Sequence, residues 1–297
     1  MALRIKKAEE PIRIERLNLC IYAPPGVGKT SLAQTADAPL TLDFDNGIYR
    51  CAFRKDSVEC QRWNDVAGMD AADLEPYKTI IVDTAGRALD KLGLDIIADN
   101  PRMGRKDGAL TLQGFGVLKS RFSSWIKLLN SFGKDVVELC HMDEQRNGDD
   151  VIERLDAQGS SKNEIYKTAD AMGRIFVRGG KRYLDFSPRE GAFGKNPGQL
   201  PELEIPHPST SPRFLAETIQ AIKDKLNEMT EEQRQVQSAI DEWTTAINDL
   251  KDPDDFNQIL PSVSKAPEMI REYFKKRVAA VGFKFVKGSV VGEAVSA

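Results

Sequence analysis

The stretch Leu19-Cys20-Ile21-Tyr22-Ala23-Pro24-Pro25-Gly26-Val27-Gly28-Lys29-Thr30-Ser31-Leu32-Ala33 organises the chain. An apolar run leads into a turn rich in proline and glycine, and Gly28-Lys29-Thr30 and helix-forming residues follow. This order fits the pattern of a phosphate-binding loop, with Ala23 at its permissive first position. A strand that leads into such a turn before a helix presents backbone N–H groups to an anion. The alternative is a chance glycine-rich turn.

Each part of this loop has a predicted role. Gly26 and Gly28 let the backbone approach phosphate oxygens closely, because they have no Cβ. Lys29 can reach the β and γ phosphates, and the Thr30 hydroxyl can bind Mg²⁺. The loop therefore predicts ATP and Mg²⁺ as cofactors. The predicted cofactor-binding residues are Ala23, Pro24, Pro25, Gly26, Val27, Gly28, Lys29, Thr30 and Ser31.

Composition narrows the class of protein. The chain has 297 residues, 41% of them hydrophobic, which suffices for one large domain or one domain with a small appendage. The net charge of −3 does not indicate nucleic-acid binding, so such binding would need local basic patches. No apolar stretch approaches membrane-spanning length, and four cysteines do not form a disulfide framework. We expect a reducing, cytoplasmic environment and no membrane span.

Polar side chains end three further apolar segments. Ligands of open α/β sheets bind outside the carboxyl ends of the strands, so these positions predict a shared site. Asp43 or Asp45 could polarise an attacking water, although an aspartate there can also cap a turn. Asp83 could hold Mg²⁺, and His141 could sense the γ phosphate or serve the structure alone. The predicted strands are 18–22, 39–45, 80–82 and 135–141.

Two stretches, 98–116 and 143–168, are predicted to be long loops. Both are polar and carry basic residues among glycines. The first could contact nucleic-acid phosphates, which requires only charge and flexibility, or it could be solvated surface. The second has a length that is uncommon unless a loop is functional or disordered. The candidate DNA-binding residues of the first stretch are Arg102, Arg105 and Lys106.

The rest of the chain predicts a hairpin and a helical C-terminal part. Two short apolar runs flank Gly179-Gly180-Lys181-Arg182, which is typical of a β-hairpin. A proline-rich linker at 201–212 separates an ATP-binding core (1–208) from a helical module (209–297). Within the core, 1–16 is an N-terminal arm or edge strand. Helices are predicted after residue 213, from a capping box at Thr230–Gln233, and from about 267 to 281. The basic segment 265–287 could contact nucleic acid or form a solvated basic face.

The order of these features resembles the RecA-like recombinase core. It is most similar to short, phage-type RecA-core ATP-binding proteins that are linked to single-strand annealing and recombination. The similarity covers residues 15–208, and the phosphate loop is its specific part. The resemblance implies an α/β fold, a RecA-like P-loop NTPase core with a central, mostly parallel sheet. A small C-terminal α-helical domain follows this core.

The resemblance also implies roles for single residues. Lys29 and Thr30 would bind phosphates and Mg²⁺, and Asp83 would be the second Mg²⁺ residue. Asp45 matches the acidic residue, usually Glu, that activates water, and His141 occupies the position of a polar sensor. The predicted catalytic residues are Asp45, Lys29 and His141.

Two further implications concern partners. The loops 98–116 and 143–168 match the two DNA-binding loops in position, so the resemblance adds Lys162 and Lys167 as candidate DNA-binding residues. Lys195 resembles a lysine that reaches the γ phosphate of a neighbouring subunit. The implied partners are single-stranded DNA, further copies of the chain in a ring or filament, and other phage recombination proteins. The implied location is the cytoplasm of a phage-infected bacterial host.

The sequence therefore predicts an ATPase with slow, DNA-stimulated turnover that promotes annealing or strand exchange. Two alternatives remain open. The first is a nucleotide-dependent switch or assembly protein without DNA binding, which the acidic segment 217–255 favours. The second is a motor ATPase that would have to work as a ring, because the chain has room for one ATPase core.

Overall fold

The computed structural model describes residues 13–147, 150–157, 162–189, 192–286 and 288–292. The predicted arm or edge strand at 1–16 lies mostly outside these residues, and 13–17 form no strand. The strands are β1 (Asn18–Ala23), β2 (Pro39–Asp43), β3 (Ser57–Glu59), β4 (Thr79–Asp83), β5 (Asp135–Asn147), β6 (Asp150–Leu155), β7 (Ala171–Arg178), β8 (Lys181–Asp185), β9 (Leu203–Glu204), β10 (Phe283–Val286) and β11 (Ser289–Gly292).

The helices alternate with these strands in the first part of the chain and dominate its end. They are α1 (Lys29–Ala33), α2 (Asn64–Ala67), α3 (Ala85–Asp99), α4 (Leu112–Ser131), α5 (Lys162–Thr168), α6 (Phe214–Asn248), α7 (Pro253–Val263) and α8 (Glu268–Ala280). None of the described helices is both long and apolar enough to cross a membrane.

A nine-stranded sheet forms the centre of the fold. Its order is β3-β2-β4-β5-β1-β7-β8-β9, and β6 pairs with the far end of β5. The strands from β3 to β7 pair in parallel, and β6, β8 and β9 pair antiparallel to their neighbours. This confirms the predicted α/β class with a mostly parallel central sheet. The strand β1, which leads into the phosphate loop, lies between β5 and β7.

Both faces of the central strands are buried, which explains their continuous apolar runs. In β4, Ile80 and Val82 pack into the core that includes α3 and α4, and Ile81 packs into the opposite core. The opposite core includes α1 and the first turns of α6, where Leu215, Ile219 and Ile222 are buried.

Several sequence-based boundaries were wrong. The polar stretch 143–168 is no loop, because β5 continues to Asn147, β6 returns beside it and α5 follows. Val151 and Ile152 in β6 are strand formers, which explains the pairing. The other predicted loop, 98–116, is shorter than expected because Thr111 caps α4 by accepting the Gly114 N–H at 3.1 Å.

The C-terminal half differs in two further respects. The proline-rich stretch predicted as a linker contains β9 and the buried Ile205. The predicted capping box at Thr230–Gln233 starts no helix, since α6 runs through it without a helix-breaking glycine or proline. The hairpin around residues 179–180 and a helix near 267–281 are confirmed.

The described residues form two compact units, one at Arg13–Asn227 and one that begins at Glu228. The larger unit contains the nine-stranded sheet. In the smaller unit, α7, α8 and the hairpin of β10 and β11 enclose a core that includes Phe256, Phe274 and Val290. The boundary predicted between 208 and 209 stays a prediction.

Candidate nucleotide-binding site

Four neighbouring strands bring the predicted polar residues to one edge of the sheet. Ala23 at the end of β1 pairs in register with His141 of β5, and Asp43 of β2 pairs with Asp83 of β4. Because all four strands are parallel, their carboxyl ends meet at this edge. The loop at 23–31 joins β1 to α1 at the same place.

The glycines of the loop have the backbone conformation that the motif requires. Gly26 and Gly28 have φ angles of 80° and 95°, in the left-handed region that favours glycine. A Cβ built at Gly28 would lie 2.3 Å from the guanidinium of Arg182, so the flexible tip of that side chain would have to shift. The loop therefore depends on glycine at position 28 mainly for its backbone conformation.

Lys29 is buried and points along the loop. Its ammonium group donates to the carbonyl oxygens of Ala23 and Pro24 at 3.0 and 3.2 Å, and lies 3.2 Å from Nδ1 of His141. Burial lowers the pKa of Lys29 from its ordinary value, while nearby Asp83 acts in the opposite direction. Lys29 thus places a positive charge among backbone acceptors and carboxylates.

Thr30 and Asp83 form the second contact between the loop and the sheet. The Thr30 hydroxyl donates to Oδ2 of Asp83 at 2.6 Å. Burial raises the pKa of Asp83, and its hydrogen bond with Thr30 acts against that rise. The peptide bond after Asp83 is cis.

This hydroxyl–carboxylate pair suits Mg²⁺, which prefers oxygen ligands and is usually held by one or two protein groups together with substrate phosphates. Within the described ranges, no group of three or more His, Cys, Asp or Glu side chains could hold a metal ion by itself. Thr30 and Asp83 therefore fit a Mg²⁺ ion that binds together with a nucleotide. When bound, that ion would neutralise phosphate charge.

His141 connects Lys29 to Asp45. Its Nε2 lies 3.1 Å from Oδ2 of Asp45. An ammonium group has no acceptor, so Nδ1 must accept from Lys29 and Nε2 must carry the proton that it donates to Asp45. The hydrogen bond from His141 lowers the pKa of Asp45, and Arg87, whose Nε lies 3.6 Å from Oδ1 of Asp45, contributes to the same shift. Asp45 is therefore held as a carboxylate.

Asp43 has a different role from Asp45, although both were candidates to polarise water. The Asp43 carboxylate accepts the backbone N–H groups of Gly47 and Ile48 at 3.0 and 2.9 Å. These bonds stabilise the turn after β2, as expected for an aspartate that caps a turn. Asp45 is the carboxylate of this pair that contacts His141.

Two arginines at this site were missed from the sequence. Arg87 lies in the first turn of α3, four residues after Asp83, so its spacing from the strand end could have indicated it. Arg182 comes from β8, and its Nη1 donates to the carbonyl oxygen of Val27 at 3.4 Å. That contact spans 155 residues, and no local pattern signals it.

The predicted DNA-binding residues lie on other elements of the chain. Arg102, Arg105 and Lys106 are exposed between α3 and α4. Lys167 is exposed and pairs with Glu164 at 3.3 Å, whereas the side chain of Lys162, at the start of α5, lies outside the described residues.

Lys195, the predicted trans residue, contacts its own chain. Its ammonium group donates to the carbonyl oxygens of Tyr166 and Ala169 at 2.5 and 2.6 Å. Both acceptors lie at or just beyond the end of α5.

The strand order and the loop together define a RecA-like P-loop NTPase fold. A family model described as an AAA domain (AAA_24) matches residues 15–197, more than half of the chain. The chain therefore belongs to this AAA domain family, which implies the use of a nucleotide.

Comparison with solved structures finds similar chains, among them the following one. A KaiC-like protein from the hyperthermophilic archaeon Pyrococcus horikoshii OT3 is similar at 9% identity and a TM-score of 0.35. The match covers 57% of this chain and 76% of that one. No curated protein sequence matches this chain.

Proposed function

We propose that this protein binds Mg²⁺ and ATP at the loop 23–31 and hydrolyses ATP slowly. The observation that carries the proposal is the continuous set of contacts from Lys29 through His141 to Asp45, beside the Thr30–Asp83 pair. Lys29 supplies positive charge for the β and γ phosphates, and Asp45 orients the attacking water. Positioning and electrostatics provide the acceleration, since phosphoryl transfer needs little covalent help from the protein.

His141 is the residue that reports the γ phosphate in this proposal. It contacts Lys29 on one side and Asp45 on the other, so a phosphate that draws Lys29 away also releases Nδ1. Once Nδ1 is released it can take up a proton, and the imidazolium then donates from Nδ1 to a phosphate oxygen while Nε2 still donates to Asp45. His141 would thereby align Asp45 with the bound nucleotide.

The test separates binding from hydrolysis. Asp45→Asn keeps the size of the side chain but removes its charge, so we expect ATP affinity within about threefold of wild type and a hydrolysis rate lowered about 100-fold. Binding is measured by calorimetry and hydrolysis by phosphate release. Asp107→Asn, at an exposed position, is the matched control and should leave both unchanged. An Asp45→Asn variant that hydrolyses ATP at the wild-type rate would contradict the assigned role.

We further propose that the protein is a phage-type recombination protein that binds single-stranded DNA in the host cytoplasm and self-assembles into a ring or filament. Arg102, Arg105 and Lys106 support this, because they are exposed and no carboxylate in the described part of the chain forms an ion pair with them. Basic side chains of this kind suit contacts with backbone phosphates. Lys162 and Lys167 would add to the same binding, and Lys195 would act in trans after leaving its carbonyl acceptors.

Salt dependence tests the DNA contacts. Each phosphate contact to single-stranded DNA adds about 0.7 to the slope of log affinity against log salt. Replacing Arg102, Arg105 and Lys106 with alanine should therefore lower the slope by about 2 in an anisotropy titration. Lys127→Ala, also exposed, is the control and should keep the wild-type slope. An unchanged slope in the triple variant would remove this loop from the interface.

A nucleotide-dependent switch without DNA binding is the second candidate. The acidic segment 217–255, most of which lies in α6, favours it, because its negative charge would repel nucleic acid. The ATPase rate with and without single-stranded DNA distinguishes the two candidates. Stimulation supports the recombination protein, and an unchanged rate supports the switch.

A further inference from the structure

Arg182 reaches the phosphate loop from the hairpin of β7 and β8. The two-residue turn Gly179–Gly180, with φ angles of 59° and 76°, sets the register in which Arg182 pairs with Val177. Successive side chains of a strand point to opposite faces. Lys181 therefore points away and pairs with Glu204 at 2.9 Å, whereas Arg182 points to the loop.

The charge of Arg182 is unpaired in a region where other basic side chains are paired. No carboxylate of the described residues lies within ion-pair distance of Arg182, whose side chain is half-buried. Its hydrogen bond to the Val27 carbonyl is long, at 3.4 Å, and uses one of five guanidinium donors. The pairs of the neighbouring basic residues are Arg174–Glu153, Arg178–Glu202, Lys181–Glu204 and Arg189–Asp185.

The guanidinium also occupies the space beside Gly28. A Cβ built at that position would lie 2.3 Å from Nη1 of Arg182, so the tip of this flexible side chain lies directly beside the loop backbone. A partly desolvated guanidinium with free donors beside an anion-binding backbone is a suitable phosphate ligand, because its planar fork matches two phosphate oxygens.

We propose that Arg182 is a second cationic ligand of the nucleotide phosphates, acting together with Lys29 within the same chain. The inference rests on the proposed binding of ATP at the loop. It assigns a role in nucleotide binding to the hairpin of β7 and β8.

The experiment compares three variants for binding of Mg²⁺–ATP and of tripolyphosphate, which has the phosphates but no base. We expect Arg182→Ala to weaken both ligands about tenfold, as for one charge-assisted hydrogen bond. Arg182→Lys should recover part of the loss, because it keeps the charge. Lys181→Ala removes the same charge from the adjacent position and should bind both ligands like wild type. The melting temperature of the ligand-free Arg182→Ala variant should stay at the wild-type value.

Three results would overturn the proposal. Unchanged ATP affinity in Arg182→Ala would show that the guanidinium does not reach the nucleotide. Loss of ATP affinity with unchanged tripolyphosphate affinity would place the contact on the base. A lowered melting temperature with no recovery in Arg182→Lys would mean that Arg182 only braces the loop. Absence of ATP binding in the wild-type protein would instead overturn the proposed function itself.

Discussion

Glu138 is a carboxyl group in the middle of the central sheet. It lies on β5 in register with Cys20 of β1 and Val82 of β4, and is 0% exposed. Neither of its oxygens has a hydrogen-bond partner in the described part of the chain. A hydrogen bond from the nearby Thr168 would stabilise the charged form of Glu138. The Thr168 hydroxyl, however, donates to the carbonyl oxygen of Glu164 at 2.9 Å. Burial raises the pKa of Glu138 from 4.5 to about 8.

This shift makes the stability of the fold depend on pH. Between pH 4.5 and about 8 the folded state holds a proton on Glu138 that the unfolded state releases, so stability falls as pH rises through this window. One pKa unit corresponds to about 1.4 kcal/mol, so the loss between pH 4.5 and pH 7 is about 3 kcal/mol. Glu138→Gln keeps the shape of the neutral acid and removes the titration.

Urea denaturation at pH values from 4.5 to 8 measures the effect. The difference in unfolding free energy between Glu138→Gln and wild type should grow by about 3 kcal/mol from pH 4.5 to pH 7, in favour of the variant. Glu75→Gln, at an exposed position, should follow the wild-type curve at every pH. A constant difference across this range would refute the reasoning, because Glu138 would then titrate alike in both states.

Two further predictions concern the larger unit. Lys223→Met should destabilise the protein by about 4 kcal/mol in urea denaturation, because it leaves the buried Asp135 carboxylate without a compensating charge. In the wild type the Lys223 ammonium lies 2.7 Å from that carboxylate. Lys78→Ala, which breaks an exposed pair, should cost less than about 1 kcal/mol, and equal losses would contradict this contrast. Gly28→Ala should lower ATP affinity at least tenfold in calorimetry, because alanine is strained at the φ of 95° that the loop requires there. Wild-type affinity would count against the loop conformation.

Much of the site could be predicted because the order of residues along the chain is enough to identify its members. The phosphate loop has a fixed local pattern, and Asp45, Asp83 and His141 each follow an apolar run. In a parallel sheet the carboxyl ends of all strands meet at one edge, so the positions of these residues after the strands were enough to predict that they lie close together. The same rule identified the α/β class and the central place of β1.

The remaining features depend on tertiary contacts that no local pattern contains. Arg182 reaches Val27 across 155 residues, and only the packed sheet shows which aspartate of the pair Asp43 and Asp45 caps the turn. The polar stretch 143–168 was predicted as a loop because β6 pairs with an extension of β5 whose residues are mostly polar. Pairing with a neighbouring strand there outweighed the polar composition.

Calorimetric titration of Mg²⁺–ATP into wild type and Lys29→Ala tests the central claim most directly. We predict saturable binding by wild type and by the exposed control Lys127→Ala, and a loss of at least 100-fold in Lys29→Ala, since a buried cation beside the phosphates is removed. Wild-type affinity in Lys29→Ala would contradict the assignment of the loop 23–31 as the nucleotide site.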